Sequence, residues 1–135
     1  MESNVCFVDT SAWFEFFVPG GDFSNTVRKI ITNSRWKFVT TDYIASELLT
    51  LLRVRKQAAR TDKIWNTLTD PNLVQLVHVA PNDFLAAYGI YSQFADKKWS
   101  FVDCVSYHLM RSRKINHTCS TDKHFRQFGI VTVLP

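Results

Sequence analysis

Cysteine is scarce and unpatterned. The 135-residue sequence carries three, Cys6, Cys104 and Cys119, and no CxxC pair. An odd count, with each thiol inside an apolar run, excludes a disulfide framework. It predicts reduced, buried thiols in a reducing compartment. No apolar run is long enough to cross a membrane. The segment from Met1 to Trp13 has no basic stretch leading into an apolar one, which argues against a secretory leader. Internal repeats, low-complexity tracts and linkers are missing too. The strongest punctuation, Pro19-Gly20-Gly21, reads as a loop inside a domain. Neither HExxH nor HxxxH occurs among His78, His108, His117 and His124, so no short-spaced zinc pair is present. These absences lead to the expectation of a cytoplasmic protein, off the membrane, with one domain over residues 1–135.

What is present is ordinary globular material. Hydrophobic residues make up 46% and charged residues 21%, with eleven Phe and four Trp, so a large aromatic core is expected. A chain of this length buries about two-thirds of its unfolded surface and needs no staple to fold. The net charge of +4 and a pI near 9.1 suit an acidic partner such as RNA. An incidental excess of Lys and Arg explains the same numbers, so charge supports a nucleic-acid reading without starting one.

Five short β-branched or apolar runs predict strands: Val5 to Asp9, Lys37 to Thr40, Leu73 to Val79, His117 to Ser120 and Ile130 to Leu134. Helical spacing fills the gaps. It covers Ser11 to Phe17, Ser24 to Asn33, Asp42 to Arg60, Lys63 to Thr69, Asn82 to Ala95 and Phe101 to Arg113, with a short turn around His124 to Phe128. Alternating strands and helices indicate an α/β fold with a five-stranded, mostly parallel sheet covered on both faces. In such sheets, ligand sites form beyond the carboxyl ends of the strands, where strand order reverses.

Four of the twelve carboxylates stand out against that frame. Asp9 closes the first strand and precedes Thr10-Ser11, a plausible helix start. Glu47 falls beside Ile44, Leu51, Val54 and Ala58 on one helical arc, at the margin of an apolar stripe. A salt bridge to Arg55 would account for it equally. Asp103 follows Ser100 by three residues, as in a capping box, at the positive end of a helix. Asp122 follows the fourth strand and begins Asp122-Lys123-His124-Phe125. Each has its own bland explanation as a cap, a turn or an ion pair. Together they bring four negative charges to one edge of one sheet, where mutual repulsion calls for a cation. Carboxylates with water suit Mg²⁺ or Mn²⁺. Among the histidines, only His124, two residues from Asp122, is a candidate for the cluster.

These residues resemble the PIN-domain nucleases, and among them the small toxins of the VapC type. The carrying segments are Val8-Asp9-Thr10-Ser11-Ala12, Ala45-Ser46-Glu47-Leu48, Ser100-Phe101-Val102-Asp103 and Ser120-Thr121-Asp122-Lys123-His124-Phe125. They occur in the family's order and span nearly the whole chain. The Phe101-Val102 pair departs from the smaller or different apolar pair common there. The resemblance implies an acidic pocket binding Mg²⁺ or Mn²⁺, endoribonuclease activity, a homodimer, and a small antitoxin protein that blocks the pocket.

On this reading Asp9, Asp103 and Asp122 hold the metal, and Glu47 is a further ligand or orients the attacking water. Thr10, Ser11 and Thr121 are second candidates, for fixing ligand water or a phosphate oxygen, although capping and turn formation explain their hydroxyls as well. Arg53, Arg55, Lys56, Arg60 and Lys63 form a basic run after Glu47, and Arg111, Arg113 and Lys114 form another. Both suit solvated helix faces. Arg53, Lys56 and Arg60 are the candidates for an RNA path. Two rival readings stand beside this one. An aspartate-based phosphatase or phosphotransfer domain would want a second Asp two residues after Asp9, where Ser11 sits. A non-catalytic metal- or RNA-binding module needs the same cluster without turnover.

Overall fold

The structure is a computed structural model that describes residues 4–129 and 132–135. Its strands are β1 (Val5–Val8), β2 (Lys37–Thr41), β3 (Val74–Val77), β4 (His117–Cys119) and β5 (Thr132–Leu134). Six α-helices connect them: α1 (Thr10–Phe17), α2 (Ser24–Ile31), α3 (Asp42–Val54), α4 (Thr61–Leu68), α5 (Pro81–Gln93) and α6 (Phe101–Ser112). Short 3-10 turns cover Ala58–Arg60 and Lys123–Phe128. The expected fifth strand agrees from Thr132 onward, while Ile130 lies outside the described residues.

All four strand pairings are parallel, in the order β3-β2-β1-β4-β5. The chain therefore builds outward from β1 to one side, then returns to β1's other side with β4. That reversal places the C-terminal ends of β1 and β4 side by side, with Val8 in register with Cys119. The central strands are apolar on both faces. Cys6, Phe7, Val8 and Cys119 are all fully buried, as helix-covered parallel strands require. The three cysteines are free and buried. Burial in apolar surroundings raises every one of these thiols, Cys104 to about 11 and Cys119 to about 12, which keeps them protonated.

Threonine hydroxyls tie β1 to its neighbours. Thr40 Oγ1 donates to the Val8 carbonyl at 3.0 Å and accepts from Trp13 Nε1 at 3.2 Å. On the other side, Thr118 Oγ1 donates to the Phe7 carbonyl at 2.8 Å. These bonds fix the end of β1, from which the first carboxylate projects.

Helix α3 is shorter than the spacing predicts. The expected helix from Asp42 to Arg60 stops at Val54, because Lys56 takes a left-handed conformation with φ of 58°. Gln57 N donates to the Leu52 carbonyl at 2.7 Å and Lys56 N to that of Arg53 at 3.1 Å, a Schellman ending. Helix α6 ends the same way at Lys114, with φ of 55°. Lysine in the glycine-preferring position left no stop signal in the sequence. The early stop leaves Ala58 outside α3 and Val54 at its last position. Ile44, Ala45, Leu48 and Leu52 are buried, whereas Glu47, Val54 and Ala58 are exposed. Glu47 lies on the solvent side of that buried stripe, beside the half-buried Leu51.

No helix among the described residues is long and apolar enough to cross a membrane.

Candidate active site

The acidic residues collect at the β1/β4 reversal. Asp9 occupies the N-cap position of α1, yet its side chain makes no capping bond. Its Oδ2 instead accepts hydrogen bonds from Ser120 Oγ at 2.9 Å and Ser11 Oγ at 3.1 Å. Each hydroxyl carries one proton and spends it on Asp9. Their oxygens in turn accept backbone N–H groups, that of Asp122 on Ser120 and that of Thr121 on Ser11, both at 3.0 Å. The two serines therefore clip the loop after β4 onto the loop after β1.

Asp103 sits on the first turn of α6 and completes the expected capping box. Its backbone N–H donates to Ser100 Oγ, and its Oδ2 accepts from the Ser100 N–H, each at 3.0 Å. The same Oδ2 lies 3.3 Å from His124 Nδ1. Cap and cluster member are thus one residue in two roles. Asp122 caps the 3-10 turn through Oδ1, which accepts the His124 N–H at 2.9 Å and faces His124 Nδ1 at 3.3 Å.

One ligand atom from each of Asp103, Asp122 and His124 falls within 4.8 Å of the others. Asp9 adjoins this group. Its carboxyl is pushed up to about 7, first by desolvation and further by the charges of Asp103 and Asp122, against the lowering effect of the Ser120 hydrogen bond. Asp103 is raised as well, again chiefly by desolvation, with Asp122 adding to it and His124 opposing it. Asp9 and Asp103 are 4% and 7% exposed, and neither pairs with Lys or Arg among the described residues. Two buried carboxylates with a third beside them and only an imidazole for company fit a divalent cation. A hydroxyl points the same way: Thr10 Oγ1 is buried with no hydrogen-bond partner.

Glu47 reaches the site from across a cavity of about 480 Å³, walled by Asp9, Thr10, Ser11 and Asp122 on one side and by Glu47, Thr50, Leu51 and Val54 of α3 on the other. It forms no ion pair or hydrogen bond among the described residues, so the alternative of an Arg55 partner is not realised. Thr121 contributes its backbone to the clip, through the bond to Ser11. Arg60 is committed elsewhere. Its Nη1 donates to the Phe17 carbonyl at 3.4 Å and its Nε to Gln57 at 2.9 Å, which satisfies the end of α1. Arg53 and Lys56 remain exposed. Of the other histidines, His108 bonds Asp83 at 2.9 Å, His78 lies 3.5 Å from Asp42, and His117 packs on Trp36. Ser120, which the sequence places at the end of the fourth strand, is not among the expected site residues. Its signal was a polar residue at the carboxyl end of a buried strand, two residues before Asp122.

Comparison with known proteins decides the family. The PIN-domain model, described as "PIN domain", matches residues 6–131. The chain belongs to the PIN-domain family. This PIN domain is 26% identical over 129 residues to the 23S rRNA-specific endonuclease VapC20 of Mycobacterium tuberculosis, in two strains, a match covering 96% of this chain and 98% of that protein. In three dimensions it superposes on the crystal structure of VapC20, described as a Sarcin-Ricin loop cleaving toxin. The TM-score is 0.88 at 24% identity, over 97% of this chain and 99% of that one. The likeness confirms the five-stranded α/β architecture.

Proposed function

We propose that this PIN domain is a divalent-metal-dependent endoribonuclease, hydrolysing RNA phosphodiester bonds as the toxin of a toxin–antitoxin pair. The observation that carries this reading is the convergence of Asp9, Asp103, Asp122 and His124 at one strand-order reversal, without a Lys or Arg partner for the carboxylates among the described residues. Asp9, Asp103 and Asp122 hold the ion directly or through water. Mg²⁺ or Mn²⁺ suits a donor set dominated by carboxylate oxygens. When bound, such an ion neutralises charge on the phosphate and lowers the pKa of a coordinated water.

The chain's own groups do the rest. Ser11 and Ser120 lock the Asp9 carboxylate with Oδ2 held by two donors. Glu47, free of any protein partner among the described residues, orients the attacking water from the opposite wall. The unpaired Thr10 hydroxyl has a proton to give a ligand water or phosphate oxygen. Ser11 and Thr121 act through position, one by its clip and the other by its backbone. Arg53 and Lys56 supply exposed positive charge for the RNA backbone.

The VapC-type likeness further supports a cognate antitoxin that covers the pocket, and a homodimer. The exposed Phe84, Leu85, Tyr88 and Tyr91 on α5 give a second copy an apolar face to meet. Free thiols and an RNA substrate agree with a cytoplasmic setting.

The deciding experiment is RNA cleavage with Mg²⁺ or Mn²⁺, with and without EDTA, comparing wild type with Asp9→Asn and Asp103→Asn. Metal-dependent cleavage lost in both variants is expected. Equal cleavage by all three proteins would trace the activity to a contaminant and reject the enzyme.

A further inference from the structure

The cavity beside the carboxylates has two unlike walls. Asp9, Thr10, Ser11 and Asp122 make one; Thr50, Leu51 and Val54 extend the other beyond Glu47. Positions 47, 51 and 54 lie three and four residues apart, so they share one face of α3. Val54 lies seven positions after Glu47, roughly 10 Å along the helix axis. Val54 is 69% exposed at the end of the helix, and Leu51 is half-buried. The core does not use this apolar surface, because the buried stripe of α3 is Ile44, Ala45, Leu48 and Leu52.

Positive charge lies at the far end. Val54 stands between Arg53 and Arg55 in the chain and Lys56 follows, all exposed and without a carboxylate partner among the described residues. The sequence of surfaces is therefore acidic cluster, aliphatic wall, basic end. A nucleotide chain has the matching order: a phosphate at a metal, an apolar base face beside it, and the next phosphate beyond.

We propose that Leu51 and Val54 form a nucleobase subsite, holding the base adjoining the scissile phosphate against the aliphatic face of α3. This rests on the ribonuclease reading and adds which side chains grip the substrate. Among the described residues no aromatic ring lines the cavity, so the base packs on aliphatic carbon. The Thr50 hydroxyl already donates to the Ser46 carbonyl at 3.1 Å. Recognition here is by fit and not by a base-specific donor, and any base is accepted with modest preference.

The test measures KM and kcat on a fluorescent single-stranded oligoribonucleotide for wild type, Val54→Ser and Val54→Ile. The same oligonucleotide is also made with an abasic ribose at each position flanking the cut. Val54→Ser should raise KM by roughly three- to tenfold on intact RNA, more than it lowers kcat. Val54→Ile should restore wild-type KM, and the abasic substrate should erase the difference between wild type and Val54→Ser. Wild-type KM for Val54→Ser, or an equal penalty on abasic RNA, overturns the subsite while leaving the nuclease intact, and returns the wall to a protein occupant. If wild type cuts no RNA, the ribonuclease reading falls by itself. Fluorescence anisotropy on the same oligonucleotides in Mg²⁺ then decides. Preferential loss of intact-RNA binding in Val54→Ser sustains the subsite, and absence of RNA binding by wild type ends it.

Discussion

Ser120 donates its hydroxyl proton to Asp9 Oδ2 across 2.9 Å, from the end of one strand to the end of its neighbour. Its oxygen simultaneously accepts the Asp122 N–H at 3.0 Å, so one side chain orients two members of the cluster. Ser120→Ala removes the donor and leaves that N–H unpaired. Outer hydrogen-bond partners of metal ligands are worth about 10–100-fold in metal affinity. The unsatisfied group costs about 1–3 kcal/mol of stability. Isothermal titration with Mn²⁺ checks the first figure and denaturant unfolding the second. Unchanged Mn²⁺ affinity would remove Ser120 from the site.

The protonation of Asp9 makes the stability of the metal-free protein depend on pH in an unusual sense. Burial lifts its folded-state pKa from an ordinary 3.8 to about 7, and Asp103 is displaced in the same direction. Between those limits the folded protein binds more protons than the unfolded chain, so stability falls as pH rises from about 4 to about 7. Metal requires the deprotonated carboxylates, so metal affinity climbs through the same window. Melting temperature in EDTA should therefore decline from pH 5 to pH 7, while the increment added by Mg²⁺ grows. A flat or rising EDTA profile would contradict the buried, unneutralised Asp9.

Asp103→Asn should separate repulsion from ligation. Asparagine retains a carbonyl oxygen for the Ser100 N–H, so the capping box survives. One negative charge leaves the crowd of Asp9, Asp103 and Asp122. In EDTA the variant should melt a few degrees above wild type, in line with relief of about 1 kcal/mol. Saturating metal, at about a hundred times its dissociation constant, adds about 2.7 kcal/mol to a protein that binds it. The variant should lose most of that increment together with RNA cleavage. Differential scanning calorimetry with and without Mg²⁺ reads both effects, and an undiminished metal increment would take Asp103 out of the ligand set.

The α/β order, the parallel sheet and the convergence of Asp9, Asp103 and Asp122 were legible because they depend on local signals: β-branched runs ending in carboxylates, and a Ser-to-Asp spacing of three. Two things were not legible. The stop of α3 at Val54 uses Lys56 at positive φ, where composition gives no warning. The Ser11–Asp9–Ser120 clip joins residues 109 positions apart, so it exists only once β4 lies beside β1. Asp9 shows the difference most plainly. Its sequence position is that of a helix cap and the backbone agrees, but tertiary donors draw its side chain away.

That same contrast between local position and tertiary use divides the basic run. Arg60 belongs to the fold, since its guanidinium caps the Phe17 carbonyl and bonds Gln57. Arg53 and Lys56 have no such duty and face solvent. Arg60→Ala should lower stability by about 0.5–1.5 kcal/mol, the value of an ordinary hydrogen bond, and leave the salt dependence of RNA binding as it was. Arg53→Ala and Lys56→Ala should scarcely alter stability. Each should reduce the slope of log binding constant against log salt by about 0.7, the single-strand value for one phosphate contact. Anisotropy titrations from low to moderate salt measure the slopes. A reduced slope in Arg60→Ala, with none in the other two, would move the RNA path from the end of α3 to the end of α1.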